Sequence, residues 1–133
     1  MNAIYMTNTT ETTVPVNSQI PLQVNKRAGG QRAFMFLNGS VITRVPGYYF
    51  VTATVTFTAA EAGDINIVVK NNGVNVPGIS ATETITTADT EVRTVTLQGM
   101  VKNCCGAGPD TLELFNNNNI QITVQNASFT VIG

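Results

Sequence analysis

The most reactive side chains in the chain are the adjacent pair Cys104-Cys105, set in Lys102-Asn103-Cys104-Cys105-Gly106-Ala107-Gly108-Pro109-Asp110. A framework disulfide joins distant parts of a chain, so neighbouring cysteines cannot staple a fold. They can close a strained ring on each other, pair with another subunit, or stay reduced in a loop. Metal binding needs more ligands than two thiolates, and the chain has no histidine, so subunits would have to pool their cysteines. The absence of histidine also removes the Ser-His-Asp and Cys-His arrangements and the commonest general base. Carboxylates remain. Asp89 and Glu91 lie two apart, so on a strand they would share a face at about 7 Å, a separation that suits inverting glycoside hydrolysis. The same spacing is common on the wet edge of a strand. The sequence therefore predicts no catalytic residue, no cofactor site and no metal site, and a protein that is not an enzyme.

The elements that carry these residues come from a chain of 133 residues, which fits one domain over 1–133, with 1–11 expected as a flexible arm. Charged residues make up 11% of it, against roughly a quarter in ordinary soluble domains. Thr and Asn take their place, and Thr suits the wet face of a strand because its β-branch fits the pleat while its hydroxyl meets water. That palette fits a virion, spore or other extracellular surface. Net charge is -1, and the seven basic residues run from Lys26 to Lys102 without a dense cluster in sequence. The footprint of phosphate-backbone binding is missing, which argues against nucleic acid as a partner. No apolar run is long enough to span a bilayer. The N-terminus lacks the basic start and apolar stretch of a secretory signal, so synthesis and assembly in the cytoplasm are expected.

Alternation is the dominant pattern. From Tyr49 the odd positions read Tyr49, Val51, Ala53, Val55 and Phe57, while the even positions from 52 to 58 are all Thr. That is a half-buried strand, opened by the turn signal Val45-Pro46-Gly47. Similar alternation occurs at Ile65, Ile67, Val69, at Val95, Leu97 and at Ile120, Ile122, Val124. Apolar parity then switches to Ala127, Phe129, Val131, which predicts a one-residue bulge near Asn126. Asn38-Gly39 and Asn72-Gly73 predict two hairpins with type I′ turns. No sustained 3.6-residue period is present, so almost no helix is expected. The run Asn116 to Asn119 reads as a solvated loop before the last strand. About ten strands with turns between them predict an all-β antiparallel sandwich whose core includes Val51, Ala53, Val55, Phe57, Ile67, Val95, Leu97 and Ile122.

Arg44-Val45-Pro46-Gly47-Tyr48-Tyr49-Phe50-Val51 resembles the Pro-Gly-x-Tyr-x-Phe entry to a central strand in the complement globular-head and tumour-necrosis-factor-like superfamily. Ile67 to Gly78, with its Lys70-Asn71-Asn72-Gly73 turn, is similar to another strand of that family, and Ala127 to Gly133 resembles its closing strand. The likeness is greatest to short standalone members from Firmicutes and their phages. It covers residues 15 to 133. The chain shows no collagen-like stalk, and acidic calcium-loop residues are sparse. The resemblance implies a ten-stranded jelly roll assembling as a homotrimer, with Tyr48, Phe50 and Phe129 at the trimer interface.

One part of this has independent support, because Tyr48 and Phe50 lie on the strand face opposite Tyr49 and Val51. That strand end is apolar on both faces, and an oligomer would bury the second one. A second sheet or a loop could cover it instead. The expected function is a non-enzymatic structural or surface protein of a phage virion, as a head decoration or fibre head. The alternative is a receptor- or glycan-binding head or an adhesion module. Two loops are the expected contacts to another particle protein, host receptor or glycan: Ala59 to Asp64, with Glu61 and Asp64, and Asn103 to Asn119, with Cys104, Cys105, Asn117 and Asn118.

Overall fold

The computed structural model describes residues 2–29, 34–103 and 108–133. Every regular element among them is a β-strand. The strands are β1 (Ala3–Asn8), β2 (Thr12–Val14), β3 (Ser18–Gln19), β4 (Gln23–Ala28), β5 (Phe34–Leu37), β6 (Ser40–Thr43), β7 (Gly47–Ala59), β8 (Gly63–Asn71), β9 (Val74–Ile85), β10 (Arg93–Asn103), β11 (Asp110–Asn116) and β12 (Ile122–Ile132). They form two six-stranded antiparallel sheets. The first runs β10-β7-β12-β1-β4, with β2 also paired to β12. The second runs β5-β6-β11-β8-β9, with β3 also paired to β11. The chain changes sheet at β2 to β3, β3 to β4, β4 to β5, β6 to β7, β7 to β8, β9 to β10, β10 to β11 and β11 to β12, which is the winding of a jelly roll.

The sandwich has twelve strands where about ten were expected, because the short β2 and β3 carry too little alternation to read. The flexible arm expected over 1–11 is corrected as well. β1 pairs with β12 on one edge and β4 on the other, and Ile4 and Met6 are fully buried. Two large apolar side chains at every-other spacing hold this segment in the core.

β7 spans the sandwich and names its ends. At the Gly47 end lie the 44–46 connection, the Asn72-Gly73 turn and residues 108–109. At the Ala59 end lie the connections 60–62, 86–92 and 117–121. All eight expected core residues are buried. The bulge falls where parity required it: Val124 faces Phe57 and Asn126 faces Thr56, which leaves Gln125 as the extra residue. Both Asn-Gly turns have positive φ at each residue, 50° and 81° at Asn38-Gly39 and 53° and 81° at Asn72-Gly73, as type I′ geometry demands.

The Gly47 end is closed by polar groups. The buried Asn103 donates from Nδ2 to the Thr43 carbonyl at 2.9 Å and to its Oγ1 at 3.1 Å, joining β10 of one sheet to β6 of the other. Tyr49, packed against Phe34 with ring centroids 5.6 Å apart, donates its hydroxyl to the Val45 carbonyl. Burial pushes its pKa above the ordinary tyrosine value.

Phe57 is fully buried near the Ala59 end of β7. Phe57→Ala should lower stability by about 3–5 kcal/mol through lost transfer energy and a residual cavity. Denaturant melts of the two proteins check it; an unchanged midpoint refutes this placement.

Candidate functional site

The carboxylate pair considered for hydrolysis does not form. Asp89 sits in a turn at φ 66°, and Glu91 precedes β10, so no strand carries both. Glu91 is committed elsewhere. Its Oε1 accepts from Thr86 Oγ1 at 2.7 Å and from the backbone N–H groups of Thr86 and Thr87, both at 2.9 Å, while Arg93 Nε donates to Oε2 at 2.7 Å. Led by the Thr86 hydroxyl and then Arg93, these donors hold its pKa at about 2, below the ordinary 4.5. A group so acidic is a turn staple and a poor proton donor near neutrality. Among the described residues no three His, Cys, Asp or Glu side chains gather closely enough to hold a metal ion.

The outward face of the first sheet is the most distinctive surface. Register places Met100, Phe50, Ile132, Ala3 and Ala28 opposite one another across β10, β7, β12, β1 and β4, an apolar row near the Gly47 end. Phe50 and Met100 are 42% and 62% exposed, and Tyr48, beside them, is 61% exposed. Lys102 extends over the Tyr48 ring at 5.5 Å. Towards the Ala59 end the same face becomes hydroxylic, with Thr52 opposite Thr130, Thr54 flanked by Thr96 and Ser128, and Thr56 bonded to Thr94 at 2.9 Å. A shallow groove of about 280 Å³ between β9 and β10 continues the apolar strip through Val74 and Val76.

Tyr48 and Phe50 thus lie on the outward face, but Phe129 does not. It faces Ala53 across the β12–β7 ladder and is fully buried within the protomer. The bulge at Gln125 turns 127, 129 and 131 inward, so Phe129 has no surface to offer a second copy, and its expected place at an interface is corrected.

The two expected contact loops are rearranged by the fold. Cys104 and Cys105 lie outside the described residues. Asn103 to Asn119 is not one loop, because β11 crosses the molecule within it and carries 117–119 to the Ala59 end. There Asn117 and Asn118 share one end of the sandwich with the exposed Glu61 and Asp64, where the Ala60 N–H donates to the Gln121 carbonyl at 2.9 Å. The asparagine run is not a solvated loop. Asn118 accepts from the Asn66 N–H at 2.8 Å and donates to the Asn66 carbonyl at 3.0 Å, while Asn117 donates to Asn66 Oδ1 at 3.0 Å. Asn116, fully buried, donates to the carbonyls of Pro15 and Ile120, both at 3.1 Å. These side chains substitute for missing backbone partners at the end of a sandwich. Asp64 accepts from Thr84 Oγ1 at 2.7 Å, and among the described residues Glu61 forms no ion pair.

No family model and no curated protein matches this chain. Solved structures do. The globular domain of zebrafish complement 1qA superposes with a TM-score of 0.62 at 12% identity, over 99% of this chain and 96% of that one. Murine APRIL at pH 5.0 gives 0.63 at 13%, over 98% of each chain. The Eiger TNF of S. frugiperda gives 0.66 at 12%, over 97% of this chain and 89% of that one. The fold is accordingly the jelly roll shared by complement globular heads and tumour-necrosis-factor ligands.

Two outcomes test these assignments. The folded pKa of Glu91 lies below its unfolded value, so its stabilisation is complete above pH 4.5 and disappears as pH falls towards 2. The difference in melting temperature between wild type and Glu91→Gln should therefore be largest at neutral pH and shrink over that window; a pH-independent difference refutes the staple. Asn116→Ala should lower stability by about 1–3 kcal/mol for each carbonyl it orphans. A melt within experimental error of wild type would mean that the asparagine run is solvated after all.

Proposed function

We propose that the chain is a non-enzymatic, homotrimeric surface module, and that it recognises or packs against other macromolecules through its exposed ends. The observation that carries this reading is the apolar row at Tyr48, Phe50, Met100 and Ile132 on an open sheet face. Contiguous exposed apolar groups rimmed by polar ones mark an association surface, and a closed ring of copies is the simplest way to cover it. The resemblance drawn from sequence supports a ring of three, and the shared fold agrees with it.

Catalysis has no supporting geometry among the described residues: the chain lacks histidine, Asp89 and Glu91 share no strand, and the strongly shifted Glu91 carboxylate is already hydrogen-bonded. Among the described residues no helix is long and apolar enough to cross a membrane. An extracellular place of action is supported by the low charge and the Thr-rich outer face. Residence on a phage particle rests on the sequence resemblance alone, since the solved neighbours named above include zebrafish, mouse and insect proteins. A receptor- or glycan-binding head is the second reading, favoured by the exposed Glu61 and Asp64 at the Ala59 end, which the Asn117 and Asn118 bonds to Asn66 brace.

Light scattering at micromolar concentration and high salt should return three times the 14.2 kDa chain mass; a monomer mass refutes the trimer. Tyr48→Glu and Phe50→Glu should yield folded monomers, because a buried unpaired charge breaks an interface before it unfolds a protomer. Phe129→Ala should instead lower the melting temperature.

A further inference from the structure

The small net charge conceals a separation that only the fold creates. With β7 as the ruler, Lys102 is level with Tyr48, Arg27 with Val51 through Ile4 and Val131, and Lys26 with Thr52 through Tyr5 and Thr130. Arg44 directly follows β6 at the Gly47 end, and Lys70 lies one residue from the end of β8, facing Glu113. The Gly47 half therefore holds five cations against two carboxylates, Asp110 and Glu113. The Ala59 half holds Glu11, Glu61, Asp64, Glu83, Asp89 and Glu91 against one cation, Arg93. Arg32 is outside the described residues.

These charges are not spent on each other. Among the described residues the only ion pair is Arg93–Glu91, itself within the acidic half. Lys70 lies over the Phe115 ring at 4.1 Å and Lys102 over Tyr48, contacts that leave an ammonium's charge uncompensated. A domain with so few charges that sorts them to opposite ends, unpaired, presents two complementary surfaces on one chain. Complementary potentials steer and orient association.

We propose that copies of this domain stack end to end, the basic Gly47 end of one against the acidic Ala59 end of the next. The two surfaces differ, so the contact is heterologous, and with opposite faces at opposite ends it propagates as an open stack and does not close into a ring. It is distinct from the trimer, which would close on the sheet face that carries Lys26 and Lys102 and leave Arg44, Lys70 and the acidic Ala59 end free. Because the attraction is between exposed groups, it falls as the Debye length shrinks from about 30 Å at 0.01 M salt to about 8 Å at 0.15 M.

Sedimentation velocity across ionic strength tests the proposal. Wild type at about 0.01 M salt should form species that grow with concentration and revert on adding salt to the mass found at high salt, which separately reports the trimer. Arg44→Glu/Lys70→Glu makes both ends acidic or neutral, and Glu61→Lys/Asp64→Lys/Glu83→Lys makes both ends basic. Neither variant should stack alone, and an equimolar mixture should regain salt-sensitive growth; melting curves verify that each is folded. A wild-type size that ignores salt overturns the proposal, as does stacking by either variant alone. Wild type that stays unstacked yet is retained on heparin overturns it in favour of an anionic ligand at the Gly47 end.

Discussion

The structure depends on the two-residue period of β7, a strand hydrogen-bonded on both edges. β10 and β12 occupy those edges and together flank it on both sides from Phe50 to Phe57, so over that stretch only its two faces remain to be assigned. Tyr49, Val51, Ala53, Val55 and Phe57 are all turned into the core. Burying each large side chain contributes about 1.5–3 kcal/mol. A slip of one residue would put Tyr48, Phe50 and the threonines at 52, 54 and 56 inside and the core outside. The bulge at Gln125 follows from that constraint, since β12 must change parity halfway to keep its own apolar residues on the same side.

With the strands fixed, the ends of the sandwich become the difficulty, because carbonyls and amides there run out of ladder partners. A chain poor in charge meets this need with asparagine, whose amide donates and accepts at once. Asn103 ties the two sheets at the Gly47 end. Asn116, Asn117 and Asn118 stitch the Ala59 end to Asn66 and to the 15–17 connection. The abundance of asparagine is thus a structural device as well as a surface property. It also explains why the Ala59 end, with Glu61 and Asp64 on a braced frame, can present residues in a defined arrangement.

Function follows from how the remaining surface is divided. One sheet face is apolar near the Gly47 end and hydroxylic beyond it, and the charges are sorted by end. Such a molecule has rigid, chemically distinct surfaces and no activated nucleophile or base among its described residues, which suits assembly and recognition. The fold it shares with complement heads and tumour-necrosis-factor ligands is compatible with that use without dictating it.

Residue types and their spacing determined by themselves the all-β class, the core face of β7, both Asn-Gly turns and the bulge near Asn126. Each of these is a local consequence of side-chain alternation or of positive φ. The same local reading failed wherever a residue's role came from a distant partner. The family resemblance assigns Phe129 to an interface, whereas the parity switch at the bulge and the pairing of β12 with β7 turn it inward. Residues 1–11 have weak alternation, and their burial depends on β4 and β12 flanking them. The asparagine run looks solvated until Asn66, 51 and 52 residues from Asn117 and Asn118 in sequence, supplies their partners. The polarity of charge has the same origin: five of the six described cations, dispersed from 26 to 102, fall in one half only because successive strands reverse direction. Periodicity is written in the chain, but which loops share an end is decided by the winding of the strands.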